Sequence, residues 1–405
     1  MATEYPWPTR PLGNAGTWLS GGTPSKDNSA FWSGTVPWVS PKDMKAARIG
    51  DAIDHVSNAA VGNGTRLVPS DTLLMVVRGM ILAHTFPVAL TTSEVAFNQD
   101  IKALQAARDF LPDFLLYWLQ SRAAEILKLT DVANHGTRRL PTERLFALET
   151  PVPPLPEQRK IAAILSAVDA VIEKTEAVIE SLQALKKAMM QELLTRGLPG
   201  RHTRFKQTEI GEVPEEWEVA RVGEVCELRN NLRKPIEVSE RERMSGPYPY
   251  YGPTKVLSHI NEYRVEGMHA LIGEDGDHFL KYDKWPMTQL LSGRFNVNNH
   301  AHVVRGSERC ATEWFFLFFK HRDIVQHLTR QGAGRYKLRK ATLMDLLVAL
   351  PPVDEQLAIF RTLRTVEQYV EGEVEQKTAA TKLKSALMSV LLTGELRVTP
   401  DKDVA

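Results

Sequence analysis

Two stretches of this chain carry nearly the same sequence. PPLPEQRKIAAIL begins at Pro153, and PPVDEQLAIFRTL begins at Pro351, which lies 198 residues further along. Aligned without a gap, residues 153–198 and 351–396 share 16 identities in 46 positions. Upstream, the shorter matches are GTRRLPTERL from Gly136 with GRYKLRKATL from Gly334, FLLYWLQSR from Phe114 with WFFLFFKHR from Trp314, NQDIKAL from Asn98 with NNHAHVV from Asn298, and Trp7 with Trp217. The pattern predicts two copies of one unit of about 200 residues.

Each copy ends in a segment with the spacing of a coiled-coil helix. In the first copy an apolar stripe keeps a strict 4,3 spacing, which places its members on one face of a helix. The stripe consists of Ile161, Leu165, Val168, Ile172, Thr175, Ile179 and Leu182. Its counterpart is Ile359, Leu363, Val366, Val370, Glu373, Lys377 and Ala380. This second stripe turns polar after Val370, and Gly372 weakens the helix further.

The spacing predicts two long spacer helices, over residues 154–200 and 351–397. Each would be about 60 Å long, and we expect the two to pack as an antiparallel pair. Two ordinary packed helices are the alternative. Residues 398–405 are expected to form a tail.

The segments before these helices, residues 1–153 and 201–350, differ in kind. They are rich in Gly, Pro and Trp, and β-branched runs such as DTLLMVV from Asp71 and HALIG from His269 predict short strands. The aromatic segments from Leu111 and Thr312 each predict one clear helix. The expected fold class is therefore mixed α/β, with one such domain in each copy and several loops free to carry function.

Composition narrows the class of protein. The 405-residue chain is 43% hydrophobic and 24% charged, a balance typical of globular proteins. Its longest apolar aromatic run, WFFLFF from Trp314, is too short to span a bilayer, and MATEYPWPTR does not resemble an export signal. We therefore expect a cytoplasmic protein without membrane contact. Cys226 and Cys310 are too few for a disulfide framework, so free thiols are favoured.

The doubled helix segments, the opening LSGGTPSKDNSAFWSGTVPWVSPKDM, and NQDIKAL followed by an aromatic helix and GTRRL resemble the specificity subunits of type I restriction-modification systems. The resemblance covers the whole chain. It implies two target-recognition domains, each reading one half of a bipartite and asymmetric DNA site, joined by two conserved helices with pseudo-two-fold symmetry.

The resemblance also implies partners. These are two modification subunits, which methylate adenine, and two restriction subunits, which use ATP. The second copy departs from the pattern, because Asp354 stands in place of Pro156 and residues 221–300 match the first domain poorly. No base-contacting residue can therefore be transferred by motif.

The sequence lacks the usual signatures of catalysis. It contains no Asn-Pro-Pro-aromatic or Asp-Pro-Pro-aromatic tetrapeptide, no Walker loop and no HExxH. His300 and His302 lack a third ligand, so no metal site is predicted. We expect a chain without catalytic residues or bound cofactors, whose partner subunits carry S-adenosylmethionine, ATP and Mg.

DNA contact has more support in the sequence. From Lys320 to Lys340 the chain carries seven Lys and Arg residues against Asp323 alone. Both copies place a Gly-led basic loop at the same point, HGTRRL from His135 and GAGRYKL from Gly332, where Gly admits a phosphate and the basic residues neutralise it. A solvated surface loop is the alternative. The predicted DNA-binding residues are Lys26, Asn28, Gly136, Thr137, Arg138, Arg139, Arg229, Arg233, Gly334, Arg335, Tyr336 and Lys337.

The best-kept part of the repeat is the start of each helix, so the predicted partner contacts are placed there. They are Glu157, Gln158, Ile161, Ile164, Leu165, Glu355, Gln356, Ile359 and Leu363. Tyr248, Tyr250 and Tyr251 either stack on bases or pack. Two other functions stay open at this point: the recognition subunit of a fused restriction-methylation system, and a coiled-coil scaffold without a DNA role.

Overall fold

A computed structural model describes residues 5–132, 136–331 and 335–399 of the chain, without the side chains of Gln331 and Arg335. The two repeated segments form two long helices, Leu155–Arg196 and Val353–Leu391. The predicted spacer helices are thus confirmed, and the second runs through Gly372 without a break.

The chain divides into two compact units, and each long helix contributes to both. Unit 1 consists of Met1–Ala177 and Val374–Ala405, and unit 2 of Val178–Glu373. Each unit therefore contains one mixed α/β domain, the first half of the helix that follows that domain, and the second half of the other long helix.

The strands of unit 1 are short, as the sequence predicts. They are β1 (Thr9–Pro11), β2 (Gly16–Ser20), β3 (Val36–Val39), β4 (Arg48–Ile49), β5 (Asp54–Val56), β6 (Arg66–Val68), β7 (Thr72–Val76), β8 (Arg78–Gly79), β9 (Val88–Thr91), β10 (Val95–Phe97), β11 (Ile101–Ala106), β12 (Asp131–Val132), β13 (Arg138–Arg139) and β14 (Glu149–Pro151). The helices are α1 (Pro112–Ser121), α2 (Ala123–Lys128), α3 (Thr142–Phe146) and α4 (Leu155–Arg196).

Unit 2 has a matching set of elements. Its strands are β15 (Phe205–Thr208), β16 (Gly211–Pro214), β17 (Glu218–Arg221), β18 (Cys226–Leu228), β19 (Ser245–Tyr251), β20 (Val256–Ile260), β21 (Val265–Glu266), β22 (His269–Gly273), β23 (Asp275–Gly276), β24 (Thr288–Leu291), β25 (Arg294–Val297), β26 (Ala301–Gly306), β27 (Thr329–Gln331), β28 (Arg335–Lys337) and β29 (Leu347–Leu350). Its helices are α5 (Val222–Val225), α6 (Val238–Arg243), α7 (Thr312–Phe319), α8 (Lys340–Asp345) and α9 (Val353–Leu391).

The sheets of the two units correspond closely, although among the described residues β4, at the edge of the five-stranded sheet of unit 1, has no counterpart in the four-stranded sheet of unit 2. In the described part of unit 1 the strand orders are β1-β14, β5-β3-β10-β6, β2-β11-β7-β9-β4 and β12-β13-β8. In unit 2 they are β17-β29, β20-β19-β25-β21, β18-β26-β22-β24 and β23-β28-β27, with the hairpin β15-β16 in addition. Both units contain a parallel pair at the same place, β3 with β10 and β19 with β25, and unit 1 has a second parallel pair, β4 with β9. The internal repeat read from the sequence is therefore confirmed.

The aromatic segments form helices that are shorter than predicted. The first is interrupted at Arg122, between α1 and α2, and the second ends at Phe319 after eight residues. In the second, Asp323 accepts a hydrogen bond from the backbone N–H of Val325 at 3.0 Å, which starts a 3-10 turn where the helix was expected to continue. α1 and α7 still supply large buried rings to each unit, among them Trp118 and Trp314.

Within each unit the two helix segments run antiparallel. In unit 1, Asp169 pairs with Lys384 and Glu176 pairs with Lys377. A step of seven residues forward along α4 is therefore matched by a step of seven residues backward along α9. In unit 2, Lys186 pairs with Glu367 at 2.6 Å. These two residues are the repeat equivalents of Lys384 and Asp169, each 198 positions away, so the same pair forms in both units.

The predicted stripes lie on the packed face of both helices. Ile161 and Leu165 are fully buried in the core of unit 1, beside Leu391 and Leu392. Ile359 and Leu363 occupy the same position in the core of unit 2, beside Met190 and Leu193. Burial of a side chain of this size contributes roughly 1.5–3 kcal/mol. In the described residues, no helix is both long and apolar enough to cross a lipid bilayer.

Candidate nucleic-acid interface

The basic motif of unit 1 forms the middle strand of a small antiparallel sheet. Arg138 and Arg139 make up β13, which lies between β12 and β8. Arg139 stands directly opposite Arg78, and Arg138 stands opposite Gly79. Gly136, just before the strand, has φ +75°, a left-handed conformation that glycine adopts without strain. Ala133, Asn134 and His135, which precede it, lie outside the described residues.

The arginine side chains of this sheet differ in their hydrogen-bond and ion-pair partners. Arg138 is half-buried and donates to the Thr130 hydroxyl at 3.2 Å. Arg78 and Arg139 are exposed, and among the residues that the structure describes neither has an acid within ion-pair distance. Like charges directly opposite on neighbouring strands repel each other. On its other side Arg139 stands opposite Asp131 in β12, and Asp131 pairs with Arg144 at 2.7 Å. Thr137 is half-buried beside them.

The corresponding sheet of unit 2 consists of β27, β28 and β23. Lys337 stands opposite Asp275 in β23 and Thr329 in β27, while Tyr336 is half-buried opposite Gly276 and Arg330. The backbone of Arg335 pairs with Gln331. Gly334 lies outside the described residues, and so does the start of the GAGR loop.

A cluster around Glu274 holds two of the predicted basic residues. Its carboxylate accepts from Arg233 at 2.6 Å and from Lys337 at 3.3 Å, and Arg233 also donates to the carbonyls of Asn299 and Ala301. Burial raises the pKa of Glu274, but Arg233, His302 and Lys337 outweigh it and lower that pKa below its usual value. Arg233 is thus largely occupied inside the unit, and its contact with DNA stays a prediction.

The other candidates are spread over separate loops. Lys26 is exposed, and exposed Asn28 accepts a hydrogen bond from the N–H of Ala30 at 3.2 Å to start a 3-10 turn. Arg229 pairs with Glu227 at 2.6 Å. The Tyr250 hydroxyl is used internally, accepting from Ile236 and donating to the Lys234 carbonyl. Tyr250 therefore packs in the interior, while Tyr251 packs against Phe295 and Tyr248 against Tyr263.

Sequence reasoning missed two equivalent turns beside these sheets. Asn98 and Asn298 are buried, and each side-chain oxygen accepts the backbone N–H two residues on, from Asp100 at 3.0 Å and His300 at 2.9 Å. Each asparagine N–H also bonds to the end of the parallel partner strand, at Val39 and Tyr251. The shared Asn in NQDIKAL and NNHAHVV was the available signal.

The repeated Glu-Gln pairs have an internal role. Glu157 is buried and accepts hydrogen bonds from Trp7 at 3.0 Å and from Arg397 at 2.7 Å. Burial raises the pKa of Glu157, but Arg397 and Trp7 hold it below its usual value. In unit 2, Glu355 is fully buried and accepts a hydrogen bond from the N–H of Leu198 at 3.0 Å. Its carboxylate also lies 3.0 Å from the Nε2 atom of His202.

Partner contact at these positions stays a prediction, and their side chains are already buried inside their own units. The buried residues are Glu157, Gln158, Ile161, Leu165, Glu355, Gln356, Ile359 and Leu363. Ile164 is half-buried and packs against the core of unit 1.

Comparison with known proteins identifies the family. The family model described as "Type I restriction modification DNA specificity domain" matches this chain twice, over residues 5–184 and 214–381. The chain belongs to this family. As a type I DNA specificity protein, it carries one family domain in each half of the sequence.

Curated relatives include several specificity subunits of type I restriction enzymes. The Escherichia coli EcoR124I/EcoR124II specificity subunit is 34% identical over 170 residues, which cover 42% of each chain. The Methanocaldococcus jannaschii MjaIX specificity subunit is 23% identical over 97% of this chain and 94% of its own length. This type I specificity protein therefore spans less than half of the first relative and nearly all of the second.

The fold is shared with solved structures. The S subunit of a type I restriction-modification system from M. genitalium matches with a TM-score of 0.63 at 14% identity, covering 96% of this chain and 97% of its own. A second chain, from a study of complex assembly and conformational transition of the type I R-M system, matches with a TM-score of 0.55 at 15% identity. The match covers 97% of this chain and 100% of that chain. At these identities the likeness shows the fold of a type I specificity protein and no individual contact.

Proposed function

We propose that this chain is the non-catalytic specificity subunit of a type I restriction-modification complex, and that each unit reads one half of a bipartite, asymmetric DNA site. The observation that carries the proposal is the basic strand placed at the same point of both units, β13 in unit 1 and β28 in unit 2. Two domains that keep this strand while the surrounding loops diverge suit two different half-sites.

The proposed phosphate contacts follow from charge. Arg78, Arg138 and Arg139 in unit 1, and Arg335 and Lys337 in unit 2, neutralise backbone phosphates and fix the register of each domain. The repulsion between Arg78 and Arg139 supports this role, because a bound phosphate removes it. Lys26, Asn28 and Arg229 lie on exposed or half-exposed loops and are secondary candidates.

The chemistry belongs to partner chains in this proposal. Modification subunits would bind S-adenosylmethionine and methylate adenine, and restriction subunits would use ATP and Mg, two copies of each. The outward faces of the long helices are the proposed docking surfaces, since the buried stripe is already occupied. Val171 and Tyr369 are exposed on those faces, and large exposed apolar side chains favour protein contact.

The test is a selection experiment with the full-length chain and a library of randomised DNA duplexes. The proposal predicts enrichment of one bipartite sequence with a fixed gap between its halves, and binding that weakens as salt rises. Failure to retain any duplex at low salt would favour a coiled-coil scaffold. In a native-mass experiment with a type I modification subunit, a complex with two modification subunits supports the proposed partners. The domain content of a captured partner separates this function from that of a fused restriction-methylation system.

A further inference from the structure

Each unit holds one exposed amide side chain at the tip of the equivalent turns described above. Gln99 follows Asn98 and Asn299 follows Asn298, and both are exposed although the asparagine before each is buried. The side-chain oxygen of each buried asparagine holds the backbone N–H two residues on, so the backbone that carries each amide is held in a defined turn.

The turns lie next to the basic strands. The Asp100 carbonyl accepts from the N–H of Val77 at 2.8 Å, and that of His300 accepts from the N–H of Glu274 at 2.8 Å. Val77 and Glu274 immediately precede β8 and β23, which pair with β13 and β28. The residue that follows each exposed amide is therefore hydrogen-bonded, through the backbone, to the residue just before a strand of the sheet that carries the proposed phosphate contacts.

The amides have free hydrogen-bonding groups. Gln99 accepts a hydrogen bond from the Thr23 hydroxyl, which steadies its oxygen. Within the described ranges, the amide nitrogen of Gln99 and the whole side-chain amide of Asn299 have no hydrogen-bond partner. In unit 2 the backbone carbonyl of Asn299 accepts a hydrogen bond from Arg233 at 3.2 Å.

We infer that Gln99 and Asn299 are specificity-determining residues, each reading one base pair in its own half-site, with adenine as the preferred base. An amide offers a donor and an acceptor side by side, which matches the N6 and N7 edge of adenine in the major groove. The inference rests on the proposed function and adds base contacts to it.

The experiment compares the duplex selections of the full-length wild type, Gln99→Ala and Asn299→Ala. Gln99→Ala is expected to lose discrimination at one position of one half-site by roughly 5- to 150-fold, while the other half-site keeps its preference. Asn299→Ala is expected to lose discrimination at one position of the other half-site, while the half-site affected by Gln99→Ala keeps its preference. Gln207→Ala, an exposed amide in β15, is the matched control and should select the wild-type site.

A substitution that redirects the preference separates base reading from loss of folding. Gln99→Glu replaces the amide donor with a second acceptor oxygen, so its preferred base should change from adenine to cytosine at that position. Wild-type preferences in all three variants would overturn the inference, as would relaxation spread over both half-sites. Absence of any enriched site with the wild type would instead overturn the proposed function.

Discussion

Gln158 and Gln356 make the same three hydrogen bonds in their two units. Gln158 accepts from the N–H of Leu111 at 2.7 Å and donates to the carbonyls of Asp109 and Pro153, both at 2.8 Å. Gln356 accepts from Ala311 at 2.8 Å and donates to Arg309 and Pro351, both at 2.8 Å. Each glutamine thereby joins the start of a long helix to the loop before the aromatic helix. This shared role accounts for the Glu-Gln pair that both repeated segments contain.

Replacing Gln356 with Leu should destabilise unit 2 by about 2–4 kcal/mol, because one buried N–H and two carbonyls lose their partner. Hydrogen exchange should rise around Ala311 and Pro351 and stay unchanged in the equivalent region of unit 1. Gln326→Leu, at an exposed glutamine, is the control and should leave exchange as in the wild type. Equal exchange in both variants would contradict the assigned role.

Glu367 should make the stability of unit 2 depend on acid pH. Burial alone would raise the pKa of Glu367, but Lys320 and Lys186 lower it to about 2. Its usual value is 4.5, so the stabilisation is fully present above that pH and is lost as pH falls towards 2. Burial lowers the pKa of Lys320, which offsets part of the gain.

Glu367→Gln should therefore cost about 2–4 kcal/mol at pH 7, since it leaves the buried Lys320 and the half-buried Lys186 without their anion. Urea unfolding at pH 7, 4 and 3 measures this, and the variant should lose less stability than the wild type on acidification. Glu176→Gln removes an exposed pair with Lys377 and should cost under about 0.5 kcal/mol. The pH argument fails if Glu367→Gln and wild type lose stability in parallel.

Arg139→Ala should weaken binding to all duplexes about equally and reduce the salt slope by about one unit, because one phosphate contact is lost. Fluorescence anisotropy between roughly 50 and 200 mM salt measures the slope. Arg144→Ala is the matched control, since Arg144 already pairs with Asp131 at 2.7 Å. A changed base preference with an intact slope would reassign Arg139 to base reading.

Residues 1–200 alone should form a homodimer. The helix half 374–391 that packs in unit 1 would be absent, and residues 178–196 of a second copy carry the equivalent side chains. Lys186 would then take the place of Lys384 opposite Asp169. Residues 201–405 should dimerise less tightly, because Glu373 and Lys377 interrupt the stripe.

The register of that homodimer can be tested by charge reversal. Asp169→Lys should weaken it by at least about tenfold, and adding Lys186→Asp should restore it, since the two partly buried charges exchange places. Analytical ultracentrifugation of the fragments gives the dissociation constants. A monomeric first fragment at high micromolar concentration would contradict the argument.

Much of the fold could be predicted from the sequence, because coiled-coil spacing is local and a repeat is visible by alignment. The pairing of Glu157 with Arg397 could not, since the two residues are 240 positions apart and only the antiparallel register brings them together. The same holds for Arg233 with Glu274.

The Glu-Gln repeat was predicted as a partner surface because only its persistence was visible. Buried hydrogen bonds constrain residue identity as strictly as an interface does. The basic segments were predicted as Gly-led loops from their residues and their repeated position, whereas the neighbouring turns of Asn98 and Asn298 required the parallel strand pairs to be known.

In unit 1 the two ends of the described chain lie together. Trp7 and Arg397 both donate hydrogen bonds to the carboxylate of Glu157, and Gly394 lies against Pro6 and Trp7. A short peptide joining these extremes, with a new opening near Gly200, would keep every contact within each unit while reversing the order of the two domains along the gene. The order of the two domains is thus a property of the chain connectivity and not of the contacts within each unit. Recombination could permute such a gene without redesigning either unit.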